Sequence, residues 1–131
     1  MKATDRIRIF VYGSLLEGMY NYNALAQTKV KEVETAPEYE LFTITGGYPQ
    51  LLKGKETVKG ELHDVTIEEF SRIIRMELGA GYKTEDIKLN AGTTELGFLF
   101  REEYIDGPRK LTKVPNGDWK KFVTNKIERG T

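Results

Sequence analysis

The chain has 131 residues, 39% of them hydrophobic and 11% aromatic, which predicts one folded domain over residues 1–131 and excludes a wholly disordered segment. Lys plus Arg number 20 and Asp plus Glu number 20, so no basic surplus exists to hold nucleic acid or an anionic membrane surface. The chain has no Cys, which excludes disulfides, a thiolate nucleophile and Cys-ligated metals, and its single histidine, His63, excludes a two-histidine centre within one chain.

In chain order, Arg6 to Tyr12 alternates and then turns fully apolar, the pattern of a strand entering a core. Gly13-Ser14 breaks it, and Asn21 to Gln27 has the composition of a short helix. Lys29 to Ala36 and Tyr39 to Thr45 read as strands, the first ended by Pro37 and the second by Gly46-Gly47. Tyr48 to Leu52 is a short extended piece, and Thr57 to Val65 a further strand. The period then changes. Thr66, with Glu69 three residues on, matches a capping box, and Ile67, Phe70, Ile73 and Ile74 form a helical apolar stripe that Gly79 is expected to stop. Tyr82 to Leu89 and Thr93 to Arg101 flank Asn90-Ala91-Gly92 as a hairpin. Asp106-Gly107-Pro108 is a turn, Lys110 to Val114 a possible strand, and Asp118 to Ile127 a closing helix with Asp118 as its cap and Trp119 as core filler. Short strands outnumber helices, so the expected fold is α+β: a small mixed, largely antiparallel β-barrel with packed helices. No stretch approaches the roughly 20 apolar residues of a membrane span, and Met1 to Arg8 lacks a signal-peptide pattern, so the expected location is cytoplasmic.

Three places could carry chemistry. Tyr12-Gly13-Ser14-Leu15 opens a turn whose Gly13 and Gly18 have phosphate-loop spacing, but Met19-Tyr20 replaces the lysine and hydroxyl residue such a loop needs. What remains is either an ordinary turn or one that aims backbone N–H groups at an anion. Glu77 follows Ile67, Phe70 and Ile74 at offsets that return to one helix face, so its carboxyl either points with them toward the core or rolls outward at the helix end. A buried carboxyl there would be desolvated, its pKa raised, and suited to general acid–base work. His63 stands in a strand with no nucleophile nearby and reads as structural or surface-exposed. No acidic run has the spacing of a metal-binding loop.

Phe10-Val11-Tyr12-Gly13-Ser14-Leu15, Gly47-Tyr48-Pro49, Val58-Lys59-Gly60-Glu61-Leu62 before a helix, that helix ending in Glu77 with Tyr82 beyond a glycine loop, and Gly117-Asp118-Trp119 occur together in this order. In that order they resemble the γ-glutamylcyclotransferase-like family over nearly the whole chain. The resemblance implies a small barrel with a cavity at one end. It implies that Tyr12, Gly13, Ser14 and Leu15 hold a γ-glutamyl group, with Tyr82 beside them and Glu77 as the catalytic acid and base. The implied partner is a small-molecule γ-glutamyl substrate, converted to 5-oxoproline and a free amine or amino acid by a monomer or homodimer with no cofactor or metal. The chain departs from the family pattern at Ile74, where many relatives have Asp, at Thr84, where many have Arg, and at Phe98 and Phe100, where a Tyr is common. Those departures leave a second expectation open, a module that binds a small ligand in the same cavity without turnover.

Overall fold

The computed structural model describes residues 6–13, 29–44, 49–101 and 111–129. The expected helix over 21–27, Tyr48, and the turns at Gly46-Gly47 and Asp106-Gly107-Pro108 lie outside them. Strands β1 (Arg6–Val11), β2 (Lys29–Glu34), β3 (Tyr39–Ile44), β4 (Pro49–Lys53) and β5 (Lys59–Thr66) precede helix α1 (Ile67–Gly79). The hairpin β6 (Tyr82–Lys88) and β7 (Thr94–Phe100), strand β8 (Leu111–Lys113) and helix α2 (Trp119–Arg129) follow.

Among the described residues eight strands form two sheets, one ordered β2-β5-β1-β7-β6 and the other β4-β3-β8. β1 pairs antiparallel with β5 and parallel with β7, which makes the larger sheet mixed; its other neighbours are antiparallel. β1 is therefore a central strand, and Ile9, Phe10 and Val11 are all buried, which is why its second half is apolar without alternation.

The expected mixed, largely antiparallel α+β architecture forms, but the barrel does not close among the described residues. The larger sheet curls until its two edge strands meet, but only at the bridge Thr35–Leu89 and the flanking bonds from Ala36 N to Lys88 O and Asn90 N to Glu34 O, each 2.9 Å. Pro37, which lacks an N–H and fixes its own φ, follows at once and the pairing goes no further. β3 instead pairs with β4 on one side and with β8 on the other, and β4 lies against β7.

α1 starts as its sequence dictates. Thr66 Oγ1 accepts from Glu69 N at 3.1 Å and Glu69 Oε1 accepts from Thr66 N at 2.8 Å, a complete capping box. Thr66→Ala is expected to destabilise the domain by about 1 kcal/mol, seen as a lower urea midpoint at unchanged slope. Ile73 is the deepest residue of the helix and packs it over β1, β5 and β6. The stop differs from expectation. Gly79 is still helical, Ala80 is the cap, and Gly81 at φ 100° takes the left-handed turn that returns the chain into β6. α2 begins as expected: Asp118 Oδ1 accepts from Lys121 N at 3.0 Å, and Trp119 is buried edge-on to Phe122 with centroids 5.6 Å apart. No helix among the described residues is long and apolar enough to cross a membrane.

Candidate active site

β1 delivers Tyr12 and Gly13 to one end of the large sheet, and the Gly81 turn delivers Tyr82 to the same end. Tyr12 is buried, and its hydroxyl donates to the carbonyl of Phe98 on β7 at 2.8 Å. Burial pushes its pKa well up, and Tyr82 and the Glu77 carboxylate add to the push. Tyr12 therefore sits within electrostatic reach of both Tyr82 and Glu77, although the three come from β1, β6 and the last turn of α1.

The Tyr82 hydroxyl donates to the carbonyl of Pro49, and its ring stands edge-on to Phe100 with centroids 5.3 Å apart. Pro49 also lies on Gly13: a Cβ there would overlap Pro49 Cγ and sit 3.4 Å from its Cδ. Only a residue without a side chain lets the end of β1 approach β4 so closely. The sequence marked Gly47-Tyr48-Pro49 as a motif but gave Pro49 no role. Its place under Gly13 and opposite Tyr82 depends on the pairing of β4 with β3.

Glu77 is the other element of the site. It lies one turn beyond the buried Ile73 and is itself half-buried, while its neighbours Met76 and Leu78 are exposed. Of the two orientations the sequence left open, the inward one is present. Burial raises the Glu77 pKa to about 7 from its ordinary value of 4.5. Near neutral pH the group is thus divided between an acid and a base, the condition for moving a proton both ways.

Ser14 and Leu15 lie outside the described residues. The four departures are placed. Ile74 packs half-buried against the core, Thr84 is exposed, and Phe98 and Phe100 are buried on β7, the first supplying the carbonyl that holds Tyr12. No group of three or more His, Asp or Glu able to hold a metal occurs among the described residues.

His63 is structural. It is fully buried on β5, with Nε2 3.0 Å from Oε1 of the buried Glu61, whose other oxygen lies 3.6 Å from Lys120 Nζ on α2. Glu61 and His63 are two apart on a strand and share a face, a signal the sequence contained.

Residues 9–121 match the family model described as gamma-glutamyl cyclotransferase, AIG2-like. A Vibrio cholerae protein provisionally named a gamma-glutamylcyclotransferase is 29% identical over 113 residues, 85% of this chain and 93% of that one. The gamma-L-glutamyl-butirosin B gamma-glutamyl cyclotransferase of Niallia circulans is 28% identical over 125 residues, 87% of this chain and 76% of that one. Among solved structures, a uropathogenic Escherichia coli-specific protein superposes with a TM-score of 0.78 at 23% identity, over 91% of this chain and 96% of that one. The matched span runs from the middle of β1 into α2 and so contains Tyr12, Gly13, Pro49, Glu77 and Tyr82. The chain belongs to the AIG2-like gamma-glutamyl cyclotransferase family.

Proposed function

We propose that the protein cyclises a γ-glutamyl amide, releasing 5-oxoproline and a free amine or amino acid. The observation that carries this reading is Glu77, a carboxyl with its pKa raised to about 7 by burial, set beside the buried hydroxyls of Tyr12 and Tyr82. The α-ammonium of the substrate is its nucleophile once deprotonated, with a reference pKa of about 8. Glu77 as carboxylate takes that proton. The amine nitrogen then attacks the γ-carbonyl of the same molecule, a C–N bond closes the five-membered lactam, and the original amide C–N bond breaks. Glu77, now protonated, returns the proton to the leaving nitrogen, so one carboxyl serves both steps. The nucleophile is tethered to its electrophile, and the pocket's task is to hold the folded-back conformer.

Tyr12 and Gly13, with Ser14 and Leu15, bind the γ-glutamyl group in this reading. Tyr12 and Tyr82, each spending its proton on a backbone carbonyl, serve as walls of fixed position. Ile74 and Thr84 stand where many relatives carry charges, and in this reading that difference bears on which amine the substrate carries.

The test is 5-oxoproline release from a panel of γ-glutamyl amino acids and γ-glutamyl amines. Release from at least one member is expected, with kcat/KM falling about tenfold per pH unit below about 7 as Glu77 protonates. Saturable binding of the panel without release would support the binding module instead.

A further inference from the structure

The opposite end of the large sheet holds a second opening. Where β2 and β6 part beyond the Thr35–Leu89 bridge, a cavity of about 460 Å³ reaches into the curl of the sheet. That volume lies in the range of roughly 300–1,000 Å³ typical of small-molecule pockets. Val33, Leu62 and Leu89 give it an apolar floor. Arg8, Lys31, Glu34 and Glu95 line it as well, two cations and two carboxylates.

None of these four charges is paired with another described residue, although both signs face one cavity. Glu95 is the most informative. It is only partly exposed, and its Oε2 is shut off from solvent with no hydrogen-bond partner. A carboxylate oxygen in that state carries a desolvation cost that no hydrogen bond from the described residues offsets. Several charges elsewhere on this sheet do have partners: Arg6 with Asp64 at 3.5 Å, Glu85 with Lys53 at 2.8 Å and Lys88 with Glu38 at 3.3 Å. What sets the cavity apart is that charges of both signs converge on one apolar floor.

We propose that this cavity is a second small-molecule site, for an α-amino acid with an apolar side chain, bound as its zwitterion. Glu95 takes the ammonium group, Arg8 and Lys31 take the carboxylate, and the side chain lies on Val33, Leu62 and Leu89. A simple anion would leave Glu95 unsatisfied, and a simple amine would leave the two cations idle. An uncharged apolar ligand would bury the rim charges without partners. Leu89 lies just past the far end of β6 from Tyr82, roughly 20 Å along the strand at ~3.3 Å per residue.

The test uses L-leucine, isopentylamine and isocaproate with the full chain, followed by calorimetry and amide chemical shifts. Leucine is expected to saturate, with shifts at Leu62, Asn90 and Thr93, and the amine or the acid alone to bind at least about tenfold more weakly, the usual scale for one lost charged hydrogen bond. Glu95→Gln and Arg8→Gln should each weaken leucine by about tenfold or more, while Glu77→Gln leaves it unchanged. Absence of saturable binding would overturn the proposal. So would leucine binding that survives both Glu95→Gln and Arg8→Gln, or that is lost in Glu77→Gln with shifts at Gly81 and Tyr82, since the ligand would then lie at the other end. None of these outcomes bears on 5-oxoproline release, which is read separately.

Discussion

Glu77→Gln is expected to lower 5-oxoproline release at least about 100-fold, the usual size of an acid–base contribution, and at the same time to make the folded protein more stable in mildly alkaline buffer. The two effects share one cause. Gln keeps the shape and size of Glu and can still hydrogen-bond, but it neither accepts a proton from the α-ammonium nor returns one to the leaving amine. The stability effect follows from proton linkage. The folded chain holds the Glu77 proton up to about pH 7, whereas the unfolded chain releases it near 4.5. Between those values the folded state binds more protons than the unfolded one, so stability falls as pH rises through the window. Above it the wild type carries the whole cost of an ionised, desolvated carboxylate, up to about 3 kcal/mol for a shift of this size. The Gln variant has no such cost. Urea unfolding should show the variant ahead at pH ~8 and level with the wild type below pH ~4.5. A variant that loses stability and activity together would indicate a structural role for Glu77. One that keeps activity would exclude it as the proton carrier.

That pairing of lost activity with gained stability also explains what could be seen in the sequence. The spacing of Ile67, Phe70, Ile74 and Glu77 put the carboxyl on the apolar face of a helix, and the capping box at Thr66 and Glu69 fixed where that helix starts. Local periodicity carries both facts. The depth of Glu77's desolvation could not be read locally, because burial at the end of a helix is set by what packs there from other parts of the chain. Pro49 is a stronger case. Its two contacts, with Gly13 and with the Tyr82 hydroxyl, join segments far apart in the chain, and no pattern within any of them specifies the meeting. The barrel stays open for the converse reason: strand patterns are local, but how far two edges pair depends on where Pro37 interrupts the chain after Thr35. At the end of α1, composition points to Gly79 as the stop, yet Gly79 stays helical. The glycine there at positive φ is Gly81, because that position leads straight into β6.

Gly60→Ala is expected to be the most damaging single methyl addition in the large sheet, costing about 2–3 kcal/mol or more. Gly60 lies on β5, between Val33 of β2 and the end of β1. A Cβ there would overlap the Val11 carbonyl oxygen and stand 2.5 Å from both Cε1 and Cζ of Phe10. Neither neighbour can yield cheaply. Phe10 is fully buried, and the Val11 carbonyl belongs to the peptide that leads into Tyr12. Any backbone shift that relieves the clash therefore moves Tyr12 against its anchor on the Phe98 carbonyl, so turnover should fall along with stability. Gly79→Ala supplies the opposite sign with the same chemical change. Its Cβ would meet nothing within 4 Å, and the residue is helical, so the substitution should stabilise α1 by up to about 1 kcal/mol. Urea midpoints for the two variants should fall on opposite sides of the wild type at a common slope. Gly60→Ala at wild-type stability would mean that β5 and β1 can separate locally, and the tight seating of Tyr12 would then need another source.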